Sequence, residues 1–280
     1  MSIAATNGGT GLKIPFTKAH GARNDFLLTW RHQISGELGD AVRLARAICD
    51  RHTGVGADGW ILLSEKAGTD AGIELWNSDG SRSEISGNGT RCAAALVVSE
   101  GRARGLTQEK VTIATGAGPK TLRVLQADGH SFFFEMNMGR AVIEELESQM
   151  VPGCECVILN VGNPQCAVFT ADFEFDWRRL GAQLERHPRF PNRTNVSFVR
   201  LIDDHNIDVR FFERGAGETM SSGTGSTGAA AAAMARGWVR SPVDVATPAG
   251  ILEIRQENDE FLLSGPAEII AGGEFYYESE

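Results

Sequence analysis

The feature that most limits what this chain can fold into is a motif that occurs twice, about half a chain apart. Ser86-Gly87-Asn88-Gly89-Thr90-Arg91-Cys92-Ala93-Ala94-Ala95 is matched by Ser222-Gly223-Thr224-Gly225-Ser226-Thr227-Gly228-Ala229-Ala230-Ala231. Each reads Ser-Gly-x-Gly and, three residues later, a run of alanines. At a matched distance before each serine an apolar run ends on a polar residue. Asn77 closes Ile73-Glu74-Leu75-Trp76, and Glu213 closes Val209-Arg210-Phe211-Phe212. A repeat this long points to duplication into two similar lobes, not to a solenoid of short units. A glycine-rich turn that runs into a helix gathers unpaired N–H groups at the positive end of the helix dipole, which suits an anion. Two such turns on opposite sides of one cleft give the geometry that two-sided chemistry requires. Taken singly, Ser86 and Ser222 read as ordinary N-caps, among the residues that position favours most. The matched Asn77 and Glu213 tip the reading of the pair towards a functional cleft.

Composition narrows the class. A chain of 280 residues can bury a substantial core. Its net charge of -9, from 27 basic against 36 acidic side chains, disfavours a nucleic-acid binder, which usually carries a basic face. Local backbone donors can still hold a negatively charged substrate. The five cysteines (Cys49, Cys92, Cys154, Cys156, Cys166) form no compact framework and suit a reducing compartment. Cys154-Glu155-Cys156 has no accompanying Cys or His cluster, so it reads as structural, and no metal is expected. No apolar stretch approaches the roughly 20 residues that span a bilayer. Residues 1–12 read as a disordered extension, small and polar where a signal peptide would be apolar. The expected location is the cytoplasm.

Strand-like and helix-like segments alternate along the chain. Short strands are expected at Ile14–Phe16 and Phe26–Trp30, around a five-residue turn from Gly21 to Asp25. A helix is expected over Ala41–Asp50 and another from the alanines after Ser86 through Val98. The second half repeats this grammar, with helices at Trp177–Arg186 and Ala229–Ala235 and separate strands at Phe261–Leu263 and Phe275–Tyr277. Many short strands with one main helix per lobe indicate an α+β protein. The expected lobes are 13–130 and 131–271, with a last strand at 272–280 completing the first.

Gly54-Val55-Gly56-Ala57-Asp58-Gly59 and Gly223-Thr224-Gly225-Ser226-Thr227-Gly228 both satisfy the dinucleotide fingerprint G-x-G-x-x-G. That fingerprint needs a strand immediately before and a helix immediately after. The first instance leads into a strand-like run, and the second is separated from its strand by Arg214–Ser222. Both are poor matches.

Seven motifs in order resemble diaminopimelate epimerases: Gly21-Ala22-Arg23-Asn24-Asp25-Phe26, Gly54 to Gly59, Asn77-Ser78-Asp79-Gly80-Ser81, Gly87 to Cys92, Gly162-Asn163-Pro164, Glu213 to Thr219, and Gly223-Thr224-Gly225. The resemblance implies two pseudo-symmetric lobes with the active site between them. It also implies a cofactor-free 1,1-proton transfer between LL- and meso-diaminopimelate, a step that supplies lysine and peptidoglycan synthesis. By the same resemblance the acid/base positions are Ser86 and Ser222, with Glu213 and Gln165 beside them. The substrate-binding set is Asn24, Asn77, Asn163, Asn195, Glu213 and Arg214, with the backbone donors of Gly87, Asn88, Gly223 and Thr224. The partner expected is a small amino dicarboxylate, without nucleic acid or membrane, and a homodimer is compatible with the reading.

This chain departs from the family where the chemistry is done. Family members carry a catalytic cysteine at each of the two positions held here by Ser86 and Ser222, and a histidine where this chain has Gln165. Three readings stay open: a weakened or altered epimerase, a site turned to a related isomerisation or dehydration of a smaller acid, or an epimerase arrested by serine. A non-catalytic amino-acid-binding homologue is the alternative from another class.

Overall fold

A computed structural model of the chain describes residues 11–151 and 153–278. The extension expected over 1–12 lies outside the described residues except for Gly11 and Leu12, and Leu12 opens the first strand. The first half contains β1 (Leu12–Gly21), β2 (Asn24–Trp30), α1 (Ala41–Cys49), β3 (Gly59–Ser64), β4 (Ala71–Asn77), β5 (Arg82–Ser83), α2 (Gly87–Ala103), β6 (Lys110–Thr115), β7 (Gly118–Asp128) and β8 (Ser131–Arg140). The second contains β9 (Val142–Val151), β10 (Cys154–Asn160), β11 (Pro164–Phe169), α3 (Trp177–Glu185), β12 (Asn195–Leu201), β13 (Asn206–Glu213), β14 (Gly217–Thr219), α4 (Gly223–Ala235), β15 (Val243–Thr247), β16 (Gly250–Glu257) and β17 (Glu260–Tyr277).

The duplication is written in the strand pairing. In the first half β1–β2 is antiparallel, β2–β3 parallel, β3–β4 antiparallel, β4–β6 parallel, and β6–β7–β8 antiparallel. The second half repeats that series strand for strand as β10–β11–β12–β13–β15–β16–β17. The parallel steps at β2–β3 and β11–β12 are crossed by α1 and α3, as a parallel connection requires. β17 joins the halves, pairing with β8 along its first part and with β1 along the remainder. The first eight-stranded ring is thereby closed, and it wraps α2. The sheet of the second half wraps α4. Both inner helices are buried on nearly all sides, which explains their alanines: Ala93, Ala94 and Ala95 are 0% exposed, as are Ala229, Ala230, Ala232 and Ala233.

Four expectations change. The first hairpin turns on two residues, not five, because Ala22 and Arg23 both take positive φ (50° and 61°), the requirement of a type I′ turn. The Ser-Gly-x-Gly segments are not turns before the helices but their first helical turns. Both helices begin at the glycine after the serine. Glycine is needed at the third residue of α4, Gly225, because that helix docks so closely on the sheet. A Cβ on Gly225 would stand 2.8 Å from the Phe211 ring. The two strands expected near the C-terminus are one continuous strand, β17, which runs through Gly265-Pro266 and Gly272-Gly273 without a break. Pattern reading also missed β9, β11 and β15, which are defined by their pairing with β10, with β10 and β12, and with β13 and β16.

Candidate active site

Each repeat serine is an extended residue capping its helix. The Ser86 Oγ accepts the Gly89 N–H at 3.1 Å, and the Ser222 Oγ accepts the Gly225 N–H at 3.1 Å. The capping reading is therefore correct for both. The two caps satisfy only one donor each, so the first N–H groups of both helices lack intrahelical acceptors. Those groups belong to Gly87 and Asn88 on one side and Gly223 and Thr224 on the other. The helix starts meet: a Cβ on Gly87 would stand 3.8 Å from the Gly223 Cα, and a Cβ on Gly223 would stand 3.9 Å from the Gly87 Cα. Two helix N-termini thus converge on one small space, and their dipoles add there.

The two sides of this junction differ chemically. Ser222 is 6% exposed, and its hydroxyl donates to Glu213 Oε1 at 2.6 Å. Burial pushes the Glu213 carboxyl above the ordinary carboxylate range, and the bond from Ser222 only partly offsets the rise. Ser86 has no corresponding carboxylate. Asn77, at the position matched to Glu213, donates its amide to the Ser81 hydroxyl at 2.9 Å. The backbone repeats, but the hydroxyl–carboxylate pair occupies one side.

The remaining site residues fall into two groups. On the α2 side, Asn88 donates its amide to Asn24 Oδ1 at 3.2 Å, and Asn24 donates to Asp58 Oδ2 at 2.7 Å. Arg51 bridges Asp58 and Asp25, both at 2.8 Å. The Asp25 carboxyl lies below its usual range, where burial raises it but Arg51 and Lys18 prevail. On the α4 side, Asn163 donates to Thr224 Oγ1 at 3.3 Å, and Gln165 donates to Asn163 Oδ1 at 2.8 Å. Gln165 is 1% exposed and packs against Gly228 in the second turn of α4. Asn195 ties its amide to the Pro164 carbonyl and accepts the Arg214 N–H at 3.0 Å. The Arg214 guanidinium is exposed and donates to the Asn192 carbonyl at 3.2 Å.

Two residues outside the expected set belong to this arrangement, Asp58 and Arg91. Asp58 sits in the Gly54–Gly59 motif as the acceptor that anchors Asn24. Arg91 was legible as a break in the repeat, since the second copy has Thr227 at that position. The five cysteines are all buried and free. Burial pushes Cys49 and Cys92 up to about 12 and Cys154 up to about 11, so these thiols are unsuited to forming thiolates. Among the described residues no cluster of three or more His, Cys, Asp or Glu side chains could hold a metal ion, and no helix is long and apolar enough to cross a membrane.

Comparison with known proteins agrees with this geometry. The family model described as Diaminopimelate epimerase matches residues 16–144 and 157–270. The chain is 35% identical to the diaminopimelate epimerase of Pelotomaculum thermopropionicum over 283 residues, covering 94% of this chain and 99% of that protein. It is 36% identical to that of Desulforudis audaxviator over 281 residues, covering 93% and 98%. Among solved structures it shares its fold with a hydroxyproline epimerase from Agrobacterium vitis, at a TM-score of 0.69 and 15% identity over 95% of this chain and 93% of that one.

Proposed function

The chain belongs to the diaminopimelate epimerase family of isomerases, and from that membership we propose that it binds an amino dicarboxylate of the diaminopimelate type between α2 and α4. The reaction is cofactor-independent exchange of the α-proton, interconverting LL and meso forms for lysine and peptidoglycan synthesis. The single observation that carries this reading is the meeting of two capped helix N-termini at Gly87 and Gly223. A carboxylate received by the free N–H groups of both helices leaves its α-carbon flanked by Ser86 and Ser222. The same donors stabilise the charge that develops on the carboxylate as the α-proton departs. Arg214 suits a distal carboxylate through a two-point guanidinium contact, and Asn24, Asn77, Asn163 and Asn195 supply amides for the ammonium and carboxylate groups.

Proton transfer is expected to be unequal on the two faces. The Ser222 hydroxyl is already hydrogen-bonded to Glu213, so it can receive the α-proton while its own proton passes to that carboxylate. Ser86 has only its own hydroxyl proton to give on the opposite face, and the alkoxide left behind is costly. This asymmetry favours a second reading, binding with exchange on one face or with no turnover. Five buried, unpaired cysteines support a cytoplasmic location.

Incubation of LL- and meso-diaminopimelate with the protein in D2O, followed by proton NMR and chiral analysis, tests the reading. Epimerisation with label incorporation supports the full reaction, and label without inversion supports single-face exchange. A ligand that raises the melting temperature without exchange identifies a binding homologue. Neither binding nor exchange at millimolar ligand would overturn the assignment of the recognition set.

A further inference from the structure

Arg91 lies in the second turn of α2 with 0% of its surface exposed. An arginine is almost never buried so completely without a carboxylate partner. Here the guanidinium donates Nε–H to the Pro266 backbone carbonyl at 3.1 Å and Nη2–H to the Asn88 side-chain oxygen Oδ1. Both acceptors are neutral, and none of the ion pairs among the described residues includes Arg91. Its third nitrogen, Nη1, is buried and has no hydrogen-bond partner among the described residues. That nitrogen is 3.9 Å from where a Gly87 Cβ would stand, and the same point is 3.8 Å from the Gly223 Cα. The unpaired end of the cation therefore lies beneath the junction of the two helix N-termini. The surrounding glycine is required as well, since a Cβ on Gly265 would press on the guanidinium carbon at 3.1 Å. Burial draws the Arg91 guanidinium down to about 10, and a residue at that value is still charged at neutral pH.

A buried charge without a counter-ion costs stability unless something supplies the opposite charge. We propose that Arg91 is a positioning residue whose missing counter-ion is the bound anion itself, reached through Asn88 and the α2 N-terminus. The proposal rests on the reading that the α2–α4 junction receives the substrate's carboxylate, and it deepens that reading. Three positive contributions, from two helix dipoles and one guanidinium, then act on one anionic group. Because a guanidinium can only donate, it also turns the Asn88 side-chain oxygen Oδ1 towards itself. The Asn88 amide hydrogens are thereby left for Asn24 and the ligand. Thr227 in the second copy supplies no charge, so this device belongs to one helix.

The test gives Arg91 an internal counter-ion. Asn88→Asp replaces the acceptor of the guanidinium with a carboxylate of the same shape. The ligand-free protein should melt about 3 °C or more above the wild type, and its stabilisation by anions should fall at least ~10-fold in apparent affinity. Arg91→Gln removes the charge while keeping an amide donor, and should lose the anion response likewise. Arg91→Lys, which keeps the charge, should retain most of it. Each protein is titrated with two probes, inorganic sulfate and meso-diaminopimelate, by thermal melting and calorimetry. A wild type that responds to sulfate but not to diaminopimelate sinks the proposed substrate and supports the role of Arg91. A wild type that responds to neither overturns the inference. So does an Asn88→Asp protein that is less stable than wild type, or an Arg91→Gln protein that binds either probe within twofold of it.

Discussion

A thiol ionises near ~8.5, whereas an alkyl hydroxyl ionises far higher, close to bulk water. Placing serine at positions 86 and 222 therefore makes the base form about 7 units harder to reach, on the order of 9–10 kcal/mol. Ser86→Cys combined with Ser222→Cys should raise α-proton exchange by several orders of magnitude, measured by deuterium wash-in. Either single replacement should recover far less, because the reaction needs an acid and a base on opposite faces. Ser222→Cys should outperform Ser86→Cys, since only position 222 has a carboxylate partner. A double variant that binds diaminopimelate yet exchanges no faster than the serine protein would sink the thiol-deficit account. Glu213 supports a second prediction. Its carboxyl is raised in the folded protein, so the native state holds the proton more tightly than the unfolded chain does. That contribution to stability is complete below the unfolded value and is lost as pH rises through the folded one. Glu213→Gln should therefore gain stability relative to wild type as pH rises from about 4 to 8. Parallel melting curves for the two proteins across that range would refute the role assigned to burial.

At the scale of elements, the first turns of α2 and α4 are constrained by how closely they approach the sheet. Gly225 has no room for a methyl group against Phe211 at 2.8 Å, and the same methyl would meet the Ser222 Oγ at 2.9 Å. Gly225→Ala should destabilise by about 1–3 kcal/mol, as overpacking of a core does, read from the urea midpoint. Gly87→Ala and Gly223→Ala form an instructive contrast. The nearest atoms to those methyls lie at 3.8 and 3.5 Å, so the fold should lose less than about 0.5 kcal/mol. Yet the methyls would occupy the space between the helix starts, and affinity for diaminopimelate should fall at least ~10-fold by calorimetry. Equal affinity in those alanine variants would mean the ligand sits elsewhere.

For the whole molecule the decisive element is β17. Its last residues pair with β1 from Leu12 to Thr17, a stretch that β2 reaches only at Thr17. Ile14, 0% exposed, packs in a cluster with Trp60 and Leu62 against which Phe275 and Tyr277 lie. Truncation after Ala271 should strip β1 from Leu12 to Thr17 of its β17 partner and expose two or three apolar side chains. The cost should be on the order of 3–6 kcal/mol, visible as a lowered melting temperature and exposed Trp60 fluorescence. A truncated protein as stable as the full chain would show that the last part of β17 adds nothing.

Much of this was legible in the residues. The doubled motif, its alanines and the matched Asn77 and Glu213 carry the pseudo-symmetry, because a helix wrapped by sheet needs small side chains and an N-cap wherever it lies. Seven ordered motifs carry the family. Other features required the folded chain, because they depend on contacts between segments far apart in sequence. β9, β11 and β15 have weak local patterns and are defined by their partners. The single strand β17 reads as two because Gly265-Pro266 and Gly272-Gly273 look like breaks until β1 and β8 supply the pairing. Equal spacing could not reveal that Glu213 accepts a hydrogen bond from the Ser222 hydroxyl while Asn77 turns to Ser81. Sequence alone determined that two capped helix starts exist; tertiary structure decided that they meet, and that one buried arginine lies beneath them without a counter-ion among the described residues. The physical reason is that caps and helices are set by neighbours along the chain, whereas charge balance and proton transfer are set by neighbours in space.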